Sequence, residues 1–384
     1  MYALPALMAV ANKSALATMC LCAFFIMLSS WTERRSIGTA IRELTPRPSL
    51  GVGVVAALVG LAVLSLAWSI DRRDTLFGLG ESAIALAAGY VVVAGIATYS
   101  REVILRHLCI AVIICASLVM LELTLNMPLR RIVGMRLETP QYNRAIETAT
   151  LYAAPLIALL IAGPRFPLAW AAVAATVVAT LASDSSAGAF ALCIAAATAA
   201  IATLNLALAR RLGLGVALLL LATAPFFGNV LAGLASKAIE SAMHGAHVEE
   251  RVAIWRAYGH VALKFPWTGT GFASSSKVTE LGFLSDGPPD IHALIATHPH
   301  HAFLQIWVEL GVAGVILAAG LLWAIFRGIG ALERDFQIAS LTLLSVVGAI
   351  ALTSHSVWQG AWMASVAGAI AMTSLVWRSA RNQA

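Results

Sequence analysis

Runs of about twenty apolar residues with almost no charge recur along most of this chain, and few folds accept them. A run long enough to cross a bilayer has to satisfy its own backbone groups, which an α-helix does within one segment. Windows of that length predict spans at Ala15–Trp31, Leu50–Trp68, Ser82–Tyr99, Val103–Leu125, Ile146–Ala162 and Leu168–Ser183. They continue at Ala187–Leu208, Leu212–Leu231, Phe303–Phe326, Phe336–Thr353 and Val357–Trp377. Tyr2–Ala11 is a further candidate, too short to cross unaided. Only 11% of the residues are charged, against about a quarter in a soluble domain. The expected fold is all-α: a polytopic membrane bundle of 11–12 transmembrane helices with one large outward loop. The parts are N-terminal spans over 1–232, the loop over 233–302 and C-terminal spans over 303–384.

Basic residues in short loops set the orientation. Arg34, Arg35, Arg42 and Arg47 share one loop, placed in the cytoplasm. Alternation then puts Arg101/Arg106, Arg165, Arg210/Arg211, Arg327/Arg334 and Arg378/Arg381 on that same side. Asp71–Asp74, Asn126–Arg144, Asp184–Ser186, the large insert and Thr353–Ser356 fall on the other. The net charge of +6 is therefore spread over loop ends, and no nucleic-acid partner is expected. No cleavable signal pattern opens the chain, so insertion is expected to use uncleaved spans. All five cysteines lie inside predicted spans, which argues against a disulfide framework or a thiolate zinc site.

The outer side carries Arg130, Arg131, Arg136, Arg144, Arg251 and Arg256, where positive charge is disfavoured. A guanidinium grips phosphate with a two-pronged fork, so a phosphate or diphosphate head group is the natural partner. Glu249–Leu263 is predicted as a helix with Arg251, Trp255 and Tyr258 on one face and Arg256 and His260 on another. Pro266 stops it. Gly269-Thr270-Gly271 is a weak match to a phosphate cradle, since no third glycine or Walker lysine follows. Ser274–Ser276 and Asp286–Asp290 look like solvated, mobile loop, and Asp184 like a helix cap.

Seven of the nine histidines lie between His244 and His301, ending in His298-Pro299-His300-His301. Three readings stand for that group. Metal binding lacks a local Cys or Glu to complete it, and the proline keeps the imidazoles off a shared helical face. A plain interfacial cluster is the second. The third is a general base, since an imidazole titrates near neutrality.

Together these residues resemble a known family. Arg251-x-x-Ile254-Trp255, Pro266-x-x-Gly269-x-Gly271, His300-x-x-Phe303-Leu304-Gln305 and Glu309-Leu310-Gly311-x-x-Gly314 look like the core of the O-antigen ligase and polysaccharide polymerase superfamily. Tyr142-Asn143-Arg144 and Ser185-Ser186-Ala187-Gly188 are similar to weaker landmarks, so the likeness covers about Asn143 to Trp377. The chain has His301 where the family usually has asparagine, and it lacks the family's arginine-rich pattern near Ser185. The resemblance implies an inner-membrane glycosyltransferase with its site facing the periplasm and no cofactor or metal. Its donor would be a glycan on undecaprenyl diphosphate and its acceptor lipid A–core or another glycan, with membrane lipids as surroundings. It implies His300 as the base, and Arg251, Arg256, Arg144, His301 and His298 as substrate-binding residues. O-antigen ligase is the first expectation. A polymerase with the same donor, a protein O-oligosaccharyltransferase and a transporter are the alternatives.

Overall fold

The computed structural model describes residues 1–32, 49–95, 101–162, 166–183, 185–234, 248–281 and 298–378. Every described regular element is helical. In chain order they are α1 (Leu4–Val10), α2 (Ala15–Thr32), α3 (Leu50–Leu64), α4 (Arg72–Gly95) and α5 (Arg101–Thr124). Then come α6 (Pro128–Val133), α7 (Asn143–Ala162), α8 (Pro167–Ala182), α9 (Ser186–Leu204) and α10 (Leu206–Thr223). The last are α11 (Phe227–Leu234), α12 (Val248–Lys264), α13 (Ala302–Gly330), α14 (Arg334–Thr353) and α15 (Gly360–Arg378). Nine described helical segments are long and apolar enough to cross a membrane, and the shorter apolar helices Ala15–Ser29 and Pro167–Ala182 stand beside them. These account for all eleven predicted spans. The protein is a multi-pass membrane protein.

α7 is the central helix, with 83% of its apolar window buried, whereas the window on α3 is 11% buried and faces outward. It packs on α1, α5, α8, α9, α14 and α15. Alanine rows explain the close approach on one side. Ala187, Ala191, Ala195, Ala199 and Ala202 form a buried stripe on α9, and Ala169, Ala172, Thr176, Ala179 and Thr180 do the same on α8. Small side chains let backbones come near where no hydrophobic effect drives helices together. The candidate at Tyr2–Ala11 is a seven-residue buried helix, α1, wedged on α5 and α7 with Asn12 bonded to Gln141 at 2.8 Å.

Three boundaries differ from the sequence reading, each for a local reason. α4 starts at Arg72 rather than Ser82, because the Asp71 carboxylate accepts from the Asp74 N–H at 2.9 Å and starts the helix there. α9 ends at Leu204, where Asn205 caps α10 by accepting from the Leu208 N–H. Arg210 and Arg211 therefore lie inside a helix, not in a loop. Pro225 then divides the run Leu212–Leu231 into α10, a short 3-10 turn and α11.

The ends of the bundle differ in character. At one, Arg334 donates to the Thr203 carbonyl at 2.6 Å, and Arg210 lies against Gly330. At the other gather the insert, the turns before α4 and α7, and the turn joining α14 to α15. Arg34, Arg35, Arg42, Arg47, Arg165, Arg381, Asp184 and residues 286–290 lie outside the described residues. Ser185 caps α9, accepting from the Gly188 N–H.

Candidate functional site

The insert is fastened to α13 by a break in that helix. Gly311 has φ 59° and ψ −158°, a backbone region open essentially to glycine alone, and the α-ladder stops there. The carbonyls of Val308 and Glu309 accept instead from the N–H groups of Thr270 and Gly271, and the Val312 N–H donates to the Pro266 carbonyl. Gly269 and Gly271 are glycines because both take positive φ and because nothing larger fits. A Cβ on Gly269 would sit 2.5 Å from the Glu309 carbonyl oxygen, and one on Gly271 2.5 Å from Ser69.

That arrangement removes the phosphate-cradle reading. The Gly269 N–H donates to Phe265 O, Phe272 N–H to Ser65 Oγ and Ala273 N–H to Glu309, so no backbone donor from Gly269 to Ala273 is left for a ligand. Glu309, fully buried, collects Ser275 Oγ (2.5 Å), Gln305 Nε2 (2.9 Å), Trp358 Nε1 (2.6 Å) and the Ala273 N–H (2.8 Å). Ser274 and Ser275 are buried in this knot, and Ser276 holds Asp74 at 2.8 Å. The expectation of a loose solvated loop at Ser274–Ser276 is thus overturned, since each hydroxyl has a partner: Ser274 the Gly271 carbonyl, Ser275 the Glu309 carboxylate and Ser276 the Asp74 carboxylate.

α12 lies over this platform with Trp255 and Tyr258 inward. Tyr258 donates to the Ser275 carbonyl, and Trp255 Nε1 to the Pro299 carbonyl at 3.0 Å, which holds the His298–His301 turn in place. His300 sits at φ 50°, a left-handed conformation uncommon for a side chain without special support. His300 Nδ1 (2.8 Å) and His298 Nε2 (3.2 Å) both meet the Ser354 carbonyl, and their ring centres lie 4.1 Å apart with the planes tilted by 41°. A carbonyl only accepts, so each of these nitrogens carries its proton. That fixes the tautomer of His300 with the lone pair on Nε2. Burial and the nearby Arg251 charge hold the His300 imidazole below its ordinary value, and burial pushes His298 down to about 3. Both rings are neutral at pH 7.

Arg251 reaches the same turn, donating from Nη1 to the Thr353 carbonyl at 2.7 Å. Burial works against its charge while Glu147 and Glu250 support it. Arg144, on the first turn of α7, has a buried Nη1 with no hydrogen-bond partner among the described residues. Its charge is felt at His298, and Glu147 and His355 are felt at His300, which defines one polar cluster. Beneath it an apolar cavity of about 410 Å³ runs down between α9, α10, α13 and α14. Phe303 and Leu352 line its upper part and Phe326 its lower, and the exposed Phe190, Leu212 and Val216 open it toward lipid.

The structure therefore brings Arg144, Arg251, His298 and His300 together. It does not bring Arg256, which is exposed and bonded to Asn229. His301 is buried beside Phe227 and Trp255, where Nδ1 caps α13 by accepting from the Leu304 N–H. Arg130 is buried too, set over the Tyr142 ring and donating to the Gln141 carbonyl, with Glu122 accepting from Tyr142 and from the Arg130 N–H. Arg131 and Arg136 are exposed. Glu147 and His355 are members of the cluster that sequence reasoning did not assign; each is an ionisable residue at a span edge, the one signal available. Among the described residues no group of three or more His, Cys, Asp or Glu could hold a metal.

Fold and cluster define the class: a multi-pass α-helical membrane protein with cationic and neutral histidine side chains gathered at one end over an apolar cavity. Residues 171–319 match the family described as O-antigen ligase. It is 30% identical over 135 residues to proteins of Rickettsia felis and Rickettsia conorii, each described as a candidate polysaccharide ligase. A Rickettsia bellii protein so described is 30% identical over 136 residues. The first of these matches covers 34% of this chain and 32% of the relative, about a third of either. Arg144, Glu147 and His355 lie outside the family match.

Proposed function

We propose that this chain is an O-antigen ligase. It would transfer a glycan from undecaprenyl diphosphate to a hydroxyl of lipid A–core, at the periplasmic face of the bacterial inner membrane. The observation that carries the reading is the unpartnered, buried Arg144 Nη1 beside Arg251 and the neutral His300. Buried polar groups normally find partners, so an orphaned guanidinium hydrogen asks for an anion. The apolar cavity ending at Phe303 and Leu352 suits the carrier's hydrocarbon chain and leaves its diphosphate at the level of the arginines.

In the proposed reaction the acceptor oxygen attacks the anomeric carbon while His300 Nε2 takes its proton. The bond from that carbon to the carrier diphosphate breaks, and its electron pair leaves with the diphosphate. Arg144 and Arg251 stabilise the charge that develops there, a task divalent metal performs in other phosphate enzymes. A single displacement inverts the anomeric configuration. The test is deletion of the gene followed by analysis of carrier-linked glycan. Full-length polymer accumulating on the carrier supports the ligase, and single repeat units would replace it with a polymerase. Activity in purified protein that persists in chelator supports charge stabilisation by arginine, and a strict need for added divalent ion would overturn it.

A further inference from the structure

Glu147 stands one helical turn after Arg144 on α7 and near Arg251, so an ion pair with either arginine is the expected arrangement. No such pair exists among the described residues. The Glu147 carboxylate turns instead to His355 Nε2, at 2.5 Å. His355 is itself fixed on two sides. Its ring stacks on Trp362 at 4.9 Å, and its Nδ1 meets Gln359 Oε1 at 3.2 Å. An amide oxygen only accepts, so Nδ1 faces it as donor and the ring presents Nε2 to the Glu147 carboxylate.

We infer that His355 acts as a decoy partner for Glu147, keeping its carboxylate off Arg144 and Arg251 so that both guanidinium groups stay open to the donor diphosphate. This rests on the diphosphate reading above. Without His355 the carboxylate has two cations in reach and competes with the ligand as an internal anion. Glu147 and His355 are thus positioning residues that set the charge of the phosphate site and touch neither reacting atom. The groups facing the pair are Arg144 from α7, Arg251 and Glu250 from α12, His298 and His300 from the turn before α13, and Glu81 of α4, which accepts from the Gly360 N–H beside it.

The test uses the full chain in detergent with farnesyl diphosphate as the probe, measured by titration calorimetry. His355→Phe keeps the stack on Trp362 and cannot hold the carboxylate. It should weaken binding by about tenfold or more, as expected when a close charge pair must be displaced. Glu147→Gln should bind as well as the parent or better, and the double variant should recover parental affinity. A merely structural role for His355 predicts no rescue. Overturning results are a double variant as weak as His355→Phe, or His355→Phe binding like the parent. If Arg144→Ala and Arg251→Ala both bind the probe normally, the diphosphate reading itself fails and takes this inference with it.

Discussion

Replacing His300 by asparagine isolates its proposed chemistry from its structural duties. Asparagine tolerates the left-handed backbone found at φ 50°, and its amide can still donate to the Ser354 carbonyl that Nδ1 reaches at 2.8 Å. Alanine would leave that carbonyl without its donor, which confuses folding with catalysis. What asparagine lacks is a basic nitrogen where Nε2 now carries its lone pair. General-base catalysis contributes about a hundred- to ten-thousandfold in rate, or about 3–5 kcal/mol on the barrier. His300→Asn should therefore lower turnover by that factor while thermal stability and donor affinity stay near parental. The assay is glycan transfer by purified protein in nanodiscs, from polyprenyl-diphosphate-linked donor to an acceptor hydroxyl. In the parent the rate should fall on the acid side only, as pH drops through a histidine value held below the ordinary one by burial and by Arg251. His300→Asn turnover within about threefold of the parent, far short of a base's contribution, would refute the assignment.

Arg251→Lys and Arg144→Lys keep charge but lose the forked geometry, and each should reduce transfer about ten- to a hundredfold with the fold intact. Arg256→Ala, away from the cluster, should stay within about threefold, since a surface hydrogen bond contributes little; the assay is the same. Glu309→Ala strips four donors of their shared acceptor, and should cost at least about 3 kcal/mol by thermal unfolding; retention of parental stability would show the knot to be dispensable. His298 and His301 are buried neutral, with values pushed down to about 3 and about 4. The unfolded chain binds more protons than the folded one below pH about 6.5, so stability should be full above that pH and fall as pH drops toward 4. His301→Asn should make the decline shallower.

Hydropathy made the spans legible because a membrane helix has to be apolar over its whole length, whatever its neighbours are. Boundaries shifted where a single side chain intervened, as Asp71 did in starting α4 ahead of its apolar window and Asn205 in starting α10 inside another. The motif glycines were visible but their purpose was not. Gly269-Thr270-Gly271 resembles a ligand loop until the carbonyls of α13, some forty positions away, are seen to take the Thr270 and Gly271 donors and Phe265 that of Gly269. The outward arginines looked alike in sequence, and tertiary packing sorted them: Arg130 into a knot with Glu122 and Tyr142, Arg256 to the surface, Arg144 and Arg251 to the histidines. Glu147 and His355 were hidden for the same reason, since more than two hundred positions separate two residues whose side chains meet.

The interrupted α13 has a consequence for anyone exchanging parts between relatives. Its outer segment takes part of its backbone bonding from Pro266–Gly271 rather than from its own ladder, so loop and helix are one inheritance unit. A chimera that imports only the outer loop would arrive without the carbonyls of Val308 and Glu309 in register. One that imports only the helix would leave Gly311 bent toward a missing partner. Moving residues 266–314 together preserves every bond across the junction.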